Sequence, residues 1–237
     1  MLMEGSSLGR LGPDSSLPTE SEIEERFVEC FRSAPGFVAI SASAQNIDRI
    51  VSLYRACKRT GRTLLLDLYA VEILKATDNP NIPAPGWPNL AVYVPEYQRR
   101  QIKRSERFDL LDPVKAHRIY AEDFAEIGAK AVMLFRPAMT ADVEKAGLWS
   151  DATAIRSQWS GYLDGGPGAK LKTDLAQRGI ALNVIHTSGH ASIADLKRLS
   201  EAINPQVLVP IHTFAGDQYS GLFSNVVRHH DGEWWEV

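Results

Sequence analysis

The stretch that decides the fold runs from Ala181 to Thr213 and reads ALNVIHTSGHASIADLKRLSEAINPQVLVPIHT. It opens with an apolar run at 181–185, continues with apolar residues at helical spacing, and closes with a second apolar run at 207–211. Short apolar runs separated by an amphipathic helix are typical of a parallel sheet that helices cover on its faces. The stretch therefore predicts an α/β fold containing a strand-helix-strand unit.

An earlier part of the chain shows the same alternation. Residues 37–40 form an apolar run, residues 47–60 carry apolar residues at helical spacing until Gly61, and residues 63–66 form the next apolar run. These two units, one early and one late, predict a parallel sheet flanked by helices.

Two segments rich in Gly, Ser or Pro predict connections between these units. Residues 5–18 form the first, after which Ser21 and Glu24 have the spacing of a capping box that opens a helix. Gly165 to Gly168 form the second and predict a linker where the chain passes from one domain to the next.

Composition narrows the class of protein. A chain of 237 residues that is 44% hydrophobic can bury a sizeable core, and its net charge of -3 disfavours nucleic-acid binding by overall charge. Cys30 and Cys57 have no short spacing, which indicates buried thiols in a reducing compartment. The sequence has no apolar run of about 18 residues and no signal pattern, so we predict a cytoplasmic protein without a membrane partner.

One local patch of positive charge follows Tyr97. The basic residues of this patch recur at helical spacing: Arg99, Arg100, Lys103, Arg104 and Arg107. Arg100 and Lys103 are the candidates for contacts with a phosphate backbone. The alternative is a solvated helix face, because Glu106 and Asp109 interleave with the basic residues.

Two histidines follow the predicted strands of the late unit. Residues just after neighbouring parallel strands lie at the same sheet edge, and such strands are about 4.8 Å apart, so we expect His190 and His212 to face one site. Ligands gather at this edge in open parallel sheets. Ser192 and Asp195 have capping-box spacing, which would place the loop from Ser188 to His190 at the positive end of a helix, where an anion is favoured.

These residues also carry a resemblance to a known family. SGHA at 188–191 followed by PIHT at 210–213 resembles the second and third signature motifs of the β-CASP branch of the metallo-β-lactamase superfamily, which includes ribonuclease J and the pre-mRNA 3′-end endonuclease. MEGSS at 3–7 is similar to the first motif, and NIDRI at 46–50 with LDLY at 66–69 is similar to the inserted domain. The likeness covers nearly the whole chain, and the three motifs occur in the family's order.

The resemblance implies a specific architecture. We expect a partial metallo-β-lactamase αββα fold plus an inserted β-CASP domain with a parallel sheet flanked by helices. Residues 1–18 would be a remnant of the metallo-β-lactamase domain, residues 19–165 the β-CASP-like domain, and residues 166–237 the C-terminal part of the metallo-β-lactamase domain.

The resemblance also implies roles for individual residues. His212 would be a zinc ligand, His190 would contact the scissile phosphate or the attacking water, and Glu4 would orient His190. Independently of the resemblance, the position of Ser188 in its loop makes it a candidate donor to a phosphate oxygen, with a turn or capping hydroxyl as the alternative. The implied activity is hydrolysis of a phosphodiester, most simply in RNA, by a pair of zinc ions.

The sequence departs from the family in its metal ligands. The His-x-His-x-Asp-His motif is absent, as are a later histidine and the bridging aspartate, whereas a catalytic zinc has about three protein ligands. We therefore expect this chain alone to be inactive, with the other ligands in a half that precedes Met1 or in a separate polypeptide. With half of its sheet unpaired, the isolated chain should aggregate or need a partner, a further copy of itself included.

The missing ligands also motivate a second hypothesis from another class. The chain would then be a non-catalytic β-CASP-like subunit that binds RNA or docks to a partner. An intact upstream ligand motif in the same reading frame would exclude it, whereas RNA affinity in zinc-free protein would support it. A dinucleotide-binding domain is third, because no strand-helix turn carries Gly-x-Gly-x-x-Gly. RNA, DNA and small phosphoesters all stay open as substrates.

Overall fold

The computed structural model of the chain describes residues 1–12 and 15–236, without the side chain of Pro167. The chain forms two compact units. The smaller unit combines Met1–Pro18 with Ser188–Val237, and the larger unit is Thr19–Thr187. The larger unit therefore runs past the division that the sequence predicted at 165, and the Gly165–Gly168 linker prediction is wrong.

The strands and helices alternate along the chain. The strands of the described residues are β1 (Leu2–Glu4), β2 (Val38–Ser41), β3 (Thr63–Leu66), β4 (Leu90–Tyr93), β5 (Arg118–Ile119), β6 (Ala131–Leu134), β7 (Thr153–Arg156), β8 (Leu182–Val184) and β9 (Val209–Ile211). The α-helices are α1 (Glu20–Ser33), α2 (Ile47–Thr60), α3 (Leu68–Lys75), α4 (Glu96–Ser105), α5 (Phe124–Ile127), α6 (Thr140–Lys145), α7 (Gly166–Gln177) and α8 (Ile193–Ile203). Short 3₁₀ segments connect several of them.

The larger unit is built on a seven-stranded sheet in the order β5-β4-β3-β6-β2-β7-β8. Every neighbouring pair in it is parallel. Helices cover both faces, since Val38 and Ile40 of β2 pack with residues of α1, α2 and α3, whereas Ala39 packs with residues of α5, α6 and α7. This burial on both sides explains why the central strands are continuous apolar runs. The predicted α/β fold with a parallel sheet flanked by helices is confirmed at this level.

The first helix of the larger unit begins earlier than the sequence suggested. Thr19 is its N-cap, and the capping box is formed by Thr19 and Glu22 instead of the predicted Ser21 and Glu24. Both pairs have the required spacing, so the pattern alone cannot choose between them. Starting at Glu20, the helix buries Ile23, Phe27 and Phe31 on one face.

The glycine-rich stretch near 165 opens a helix instead of linking domains. Gly165 is the N-cap of α7, and Leu171 and Leu175 of this helix are buried against the larger sheet. A Gly-Pro sequence suits a helix start because proline lacks the N–H that has no partner there. The chain leaves the larger unit only after Thr187.

The smaller unit contains a two-stranded sheet of β1 and β9, which run parallel. Helix α8 packs Ile193 and Leu196 on the same core as Met3 and Tyr219. The expectation that the strands at 181–185 and 207–211 are neighbours is wrong, because β8 pairs with β7 in the larger sheet and β9 pairs with β1.

Two further observations bear on the class of protein. Cys30 and Cys57 are free thiols, and burial raises the pKa of the Cys57 thiol well above its usual range. Among the described residues, no helix is both long and apolar enough to cross a bilayer.

Candidate functional site

Three side chains that the sequence singled out, those of Glu4, His190 and His212, lie together in the smaller unit. Glu4 ends β1 and is paired in register with Ile211, so His212 follows β9 at the same edge of the sheet. His190 lies in the loop that leads to Ser192, the N-cap of α8. The convergence was predicted, but it comes from the pairing of β1 with β9 and not from neighbouring positions of β8 and β9.

The three groups are close enough to act on one ligand. Their donor atoms all lie within 4.8 Å of one another, and within the described residues this is the one such group of three or more His, Cys, Asp or Glu side chains. The ring centroids of His190 and His212 are 5.3 Å apart with the planes tilted by 50°. The Nδ1 atom of His190 is 3.3 Å from Oε2 of Glu4, and both side chains are partly open to solvent.

The hydrogen bonds of the two imidazoles define which ring nitrogen keeps its lone pair and can bind a ligand. Ser6 Oγ lies 3.1 Å from Nδ1 of His212 and 3.2 Å from the carbonyl oxygen of the same residue. A carbonyl only accepts, so the serine donates to it and accepts from Nδ1–H, which leaves the lone pair of His212 on Nε2. By the same argument, a neutral His190 that donates Nδ1–H to the Glu4 carboxylate also keeps its lone pair on Nε2.

Glu4 is held as an anion by backbone donors. The N–H of Ser6 donates to Oε2 at 2.9 Å, and the N–H of Ala191 donates to Oε1 at 3.1 Å. Partial burial opposes ionisation, but these hydrogen bonds, with a contribution from His190, hold the pKa of Glu4 below its ordinary value. A carboxylate with both oxygens engaged in this way suits the orientation of an imidazole.

His212 has an unusual backbone conformation. Its φ of 49° places it in the left-handed region, which a residue with a Cβ adopts at a cost of about 1–2 kcal/mol. The loop is fixed by Thr213, whose hydroxyl donates to the carbonyl of Gly5 at 2.9 Å and accepts from the N–H of Ala215 at 3.1 Å. Strained backbone conformations cluster at functional sites.

Tyr219 contacts the backbone of the strand that carries Glu4. The sequence did not single it out. Its ring is fully buried, and its hydroxyl donates towards the carbonyls of Glu4 at 2.7 Å and Met3 at 3.2 Å. Burial, with the nearby Glu4 charge, raises the pKa of Tyr219 to about 12, so the hydroxyl stays a donor. A Cβ at Gly5 would overlap the tyrosine ring, so glycine is required there. Only the folded chain brings position 219 to positions 3–5, so no local pattern could have revealed it.

Ser188 and Ser192 shape the loop that carries His190. The hydroxyl of Ser188 accepts from the N–H of His190 at 3.1 Å, which is the turn role that the sequence analysis gave as its alternative. Ser192 caps α8 by accepting from the N–H of Asp195 at 3.1 Å, as predicted. The loop therefore stands at the positive end of a helix.

The basic candidates are not part of this group of residues. Arg100 and Lys103 lie on α4 in the larger unit. Arg100 pairs with Glu96, and other members of the patch are also paired, Arg99 with Asp142 and Arg107 with Asp109. These ion pairs favour the solvated-face interpretation of the patch.

The other histidines have ordinary surroundings. His186 belongs to the larger unit, where burial and the charge of Arg49 lower its pKa. His229 stacks on Trp235 with ring centroids 4.4 Å apart and contacts Glu233. His117 is exposed at the end of a 3₁₀ segment of the larger unit.

Comparisons with known proteins show a similar fold and indicate no activity. No protein-family model matches the chain, and no curated protein matches it. A solved structure described as a protein of unknown function from Enterococcus faecalis V583 is similar, with a TM-score of 0.68 and 20% sequence identity. The alignment covers 98% of this chain and 50% of that chain, so this chain spans about half the length of the structure it matches. At this identity the likeness concerns the fold alone.

Proposed function

We propose that this chain is part of a zinc-dependent phosphodiesterase of the β-CASP branch of the metallo-β-lactamase superfamily, acting on RNA. In this proposal the smaller unit belongs to the metallo-β-lactamase domain and the larger unit is the inserted β-CASP domain. The observation that carries the proposal is the convergence of Glu4, His190 and His212 within 4.8 Å at the ends of two paired strands. It rests on the motif resemblance together with that geometry.

One residue of the group is suited to the metal. A neutral imidazole is a common zinc ligand, and Ser6 holds Nδ1 of His212 so that Nε2 is free for that role. Zinc, when bound, supplies an activated water and neutralises charge on the phosphoryl group. The remaining ligands would come from a segment or polypeptide beyond the residues described here.

His190 and Glu4 act together in this proposal. Glu4 accepts from Nδ1 of His190 and fixes the orientation of the ring. Nε2 of His190 is then the atom that holds a phosphoryl oxygen or moves a proton to the leaving group. The N-terminus of α8, directly after this loop, adds a positive potential for the phosphate.

The metal role of His212 is testable on protein in which the remaining metal ligands are present. We expect His212→Ala to weaken zinc affinity by at least about 10- to 100-fold, the loss that removal of even an outer partner of a metal ligand can cause. The measurement is a zinc titration in competition with a chromophoric chelator.

His117→Ala is the matched control, since it removes an exposed histidine of the larger unit. It should leave the affinity unchanged. Equal zinc affinities for His212→Ala and the unmodified chain would refute the assignment of His212 as a ligand.

A second candidate function is a non-catalytic subunit that binds RNA or docks to a partner. The observation that favours it is that the described residues hold a single group of donors, too few for a pair of metal ions. RNA binding that survives exhaustive removal of zinc and the substitution His212→Ala would support this candidate over the hydrolase.

A further inference from the structure

A separate cavity lies in the larger unit, at the carboxyl ends of β2, β6 and β7. Its volume is about 630 Å³, within the range of small-ligand sites. The residues that matter to its chemistry are Ser41, Arg136, Arg156, Gln158, Tyr162 and Gly168. All of them belong to the larger unit, so the cavity is independent of the Glu4, His190 and His212 group.

The strand order places this cavity at a topological switch point. From β2 the chain continues to β3, on one side of β2, whereas from β6 it continues to β7, on the other side. β2 and β6 are neighbours in the sheet, so the connections that leave their carboxyl ends diverge. Open parallel sheets bind ligands in the crevice that such divergence creates.

Arg156, on the wall of this cavity, is a buried cation with no counter-charge among the residues that the structure describes. It is 6% exposed, its Nη1 donates to Ser41 Oγ at 2.7 Å, and its Nε has no partner among the described residues. No carboxylate of the described residues lies within salt-bridge distance of it.

The other two buried arginines of the unit, Arg49 and Arg62, are compensated, and so is the half-buried Arg136. Arg49 pairs with Glu20 at 2.7 Å, and Arg136 pairs with Asp67 at 2.8 Å. Arg62 donates to backbone carbonyls of the loops and the helix end around it. A buried guanidinium without a counter-charge raises the free energy of the folded chain. An anion bound beside Arg156 would therefore be stabilising.

The start of α7 adds backbone donors to the same wall. Gly165, its N-cap, and Gly168 both line the cavity, and the cap has no side-chain hydrogen bond. A Cβ at Gly168 would overlap the carbonyl of Tyr162, so glycine is needed to bring the helix this close. A 12-residue helix that begins here directs its positive end to the region of Arg156.

We propose that this cavity binds a phosphate group of a small phosphorylated ligand, held by the Arg156 guanidinium and the first turn of α7. A guanidinium fork and helix amides together match the several oxygens of a phosphate better than the two oxygens of a carboxylate. The ordered Ser41 contact keeps the guanidinium in place for that ligand.

The test is calorimetric titration of the full chain with inorganic phosphate, and with acetate in parallel. We expect saturable phosphate binding that Arg156→Gln weakens by roughly 10-fold or more, because a charge-assisted pair is lost. Gln158→Glu keeps the buried arginine and adds a negative charge to the lining, so it should weaken phosphate binding several-fold. This variant tests the proposal if Arg156→Gln does not fold. Arg178→Gln is the control, since Arg178 pairs with Glu144 at 2.8 Å and does not line the cavity, and it should bind phosphate normally.

Three results would overturn the proposal. The first is no saturable phosphate binding by the unmodified chain. The second is binding that neither Arg156→Gln nor Gln158→Glu reduces, which would place the anion elsewhere. The third is acetate binding as tight as phosphate binding, which would make this a carboxylate site.

Discussion

The His190→Ala variant is expected to hydrolyse a phosphodiester roughly 10²- to 10⁴-fold more slowly than the unmodified protein, once the remaining metal ligands are present. The proposal places Nε2 of His190 on the phosphoryl oxygen or the transferred proton, and alanine removes that group while leaving His212, the proposed zinc ligand. The measurement is kcat/KM on a short RNA, with zinc content determined on the same samples.

Two further variants test the role of His190, one at its partner Glu4 and one as a control. Glu4→Gln removes the charge that orients His190 and should reduce the rate less than His190→Ala does, because the imidazole itself remains. His117→Ala should have the activity of the unmodified enzyme. A His190→Ala enzyme with full zinc content and an unchanged rate would exclude a catalytic role for His190.

The Arg62→Gln variant is expected to destabilise the larger unit by at least about 3 kcal/mol. Arg62 is buried, and its guanidinium donates to the carbonyls of Phe31 at 2.8 Å, Gly36 at 2.8 Å, Ala34 and Ala129. Glutamine offers fewer donors and a shorter reach, so several buried carbonyls would lose their partner, each at a cost of about 1–3 kcal/mol. Urea unfolding followed by circular dichroism measures the change.

Arg32→Gln is the matched control for this prediction. Arg32 is an exposed residue in the last turn of α1, so the same replacement there should change the free energy of unfolding by no more than about 0.5 kcal/mol. If both variants unfold at the same urea concentration, the role assigned to Arg62 is wrong.

The elements of the larger sheet were predictable where local pattern and burial agree. The strand at Thr63–Leu66 and the helix at Ile47–Thr60, which Gly61 caps in the left-handed conformation, have the predicted bounds. A strand buried on both faces must be a continuous apolar run, and a helix that covers it must show apolar residues at helical spacing. These signals are local, so a single sequence contains them.

Long-range pairing was not predictable in the same way. β1 pairs with β9 across more than two hundred positions of the chain, whereas periodicity suggested β8 as the neighbour of β9. A strand signal says that a segment is extended and apolar, but not which segment lies beside it. The stretch at 165–168 predicts a linker but opens α7, because glycine and proline are common both in loops and at helix starts.

The candidate site was only partly visible in the sequence. Glu4, His190 and His212 stood out because they lie in motifs and bear chemically active side chains. Ser6 and Tyr219 did not, because a hydroxyl that orients an imidazole or a carbonyl has no distinctive neighbours in sequence. Arg156 was missed because nothing in the sequence says that a strand-end arginine is buried without a carboxylate.

The most direct test of the account is X-ray absorption at the zinc edge of the zinc-loaded protein, with the remaining metal ligands present, compared between the unmodified protein and His212→Ala. The account predicts imidazole scattering from nitrogen at about 2.0 Å that falls by one imidazole in His212→Ala and stays unchanged in His117→Ala. Identical spectra for all three proteins would contradict it, because zinc would then be bound somewhere other than beside Glu4, His190 and His212.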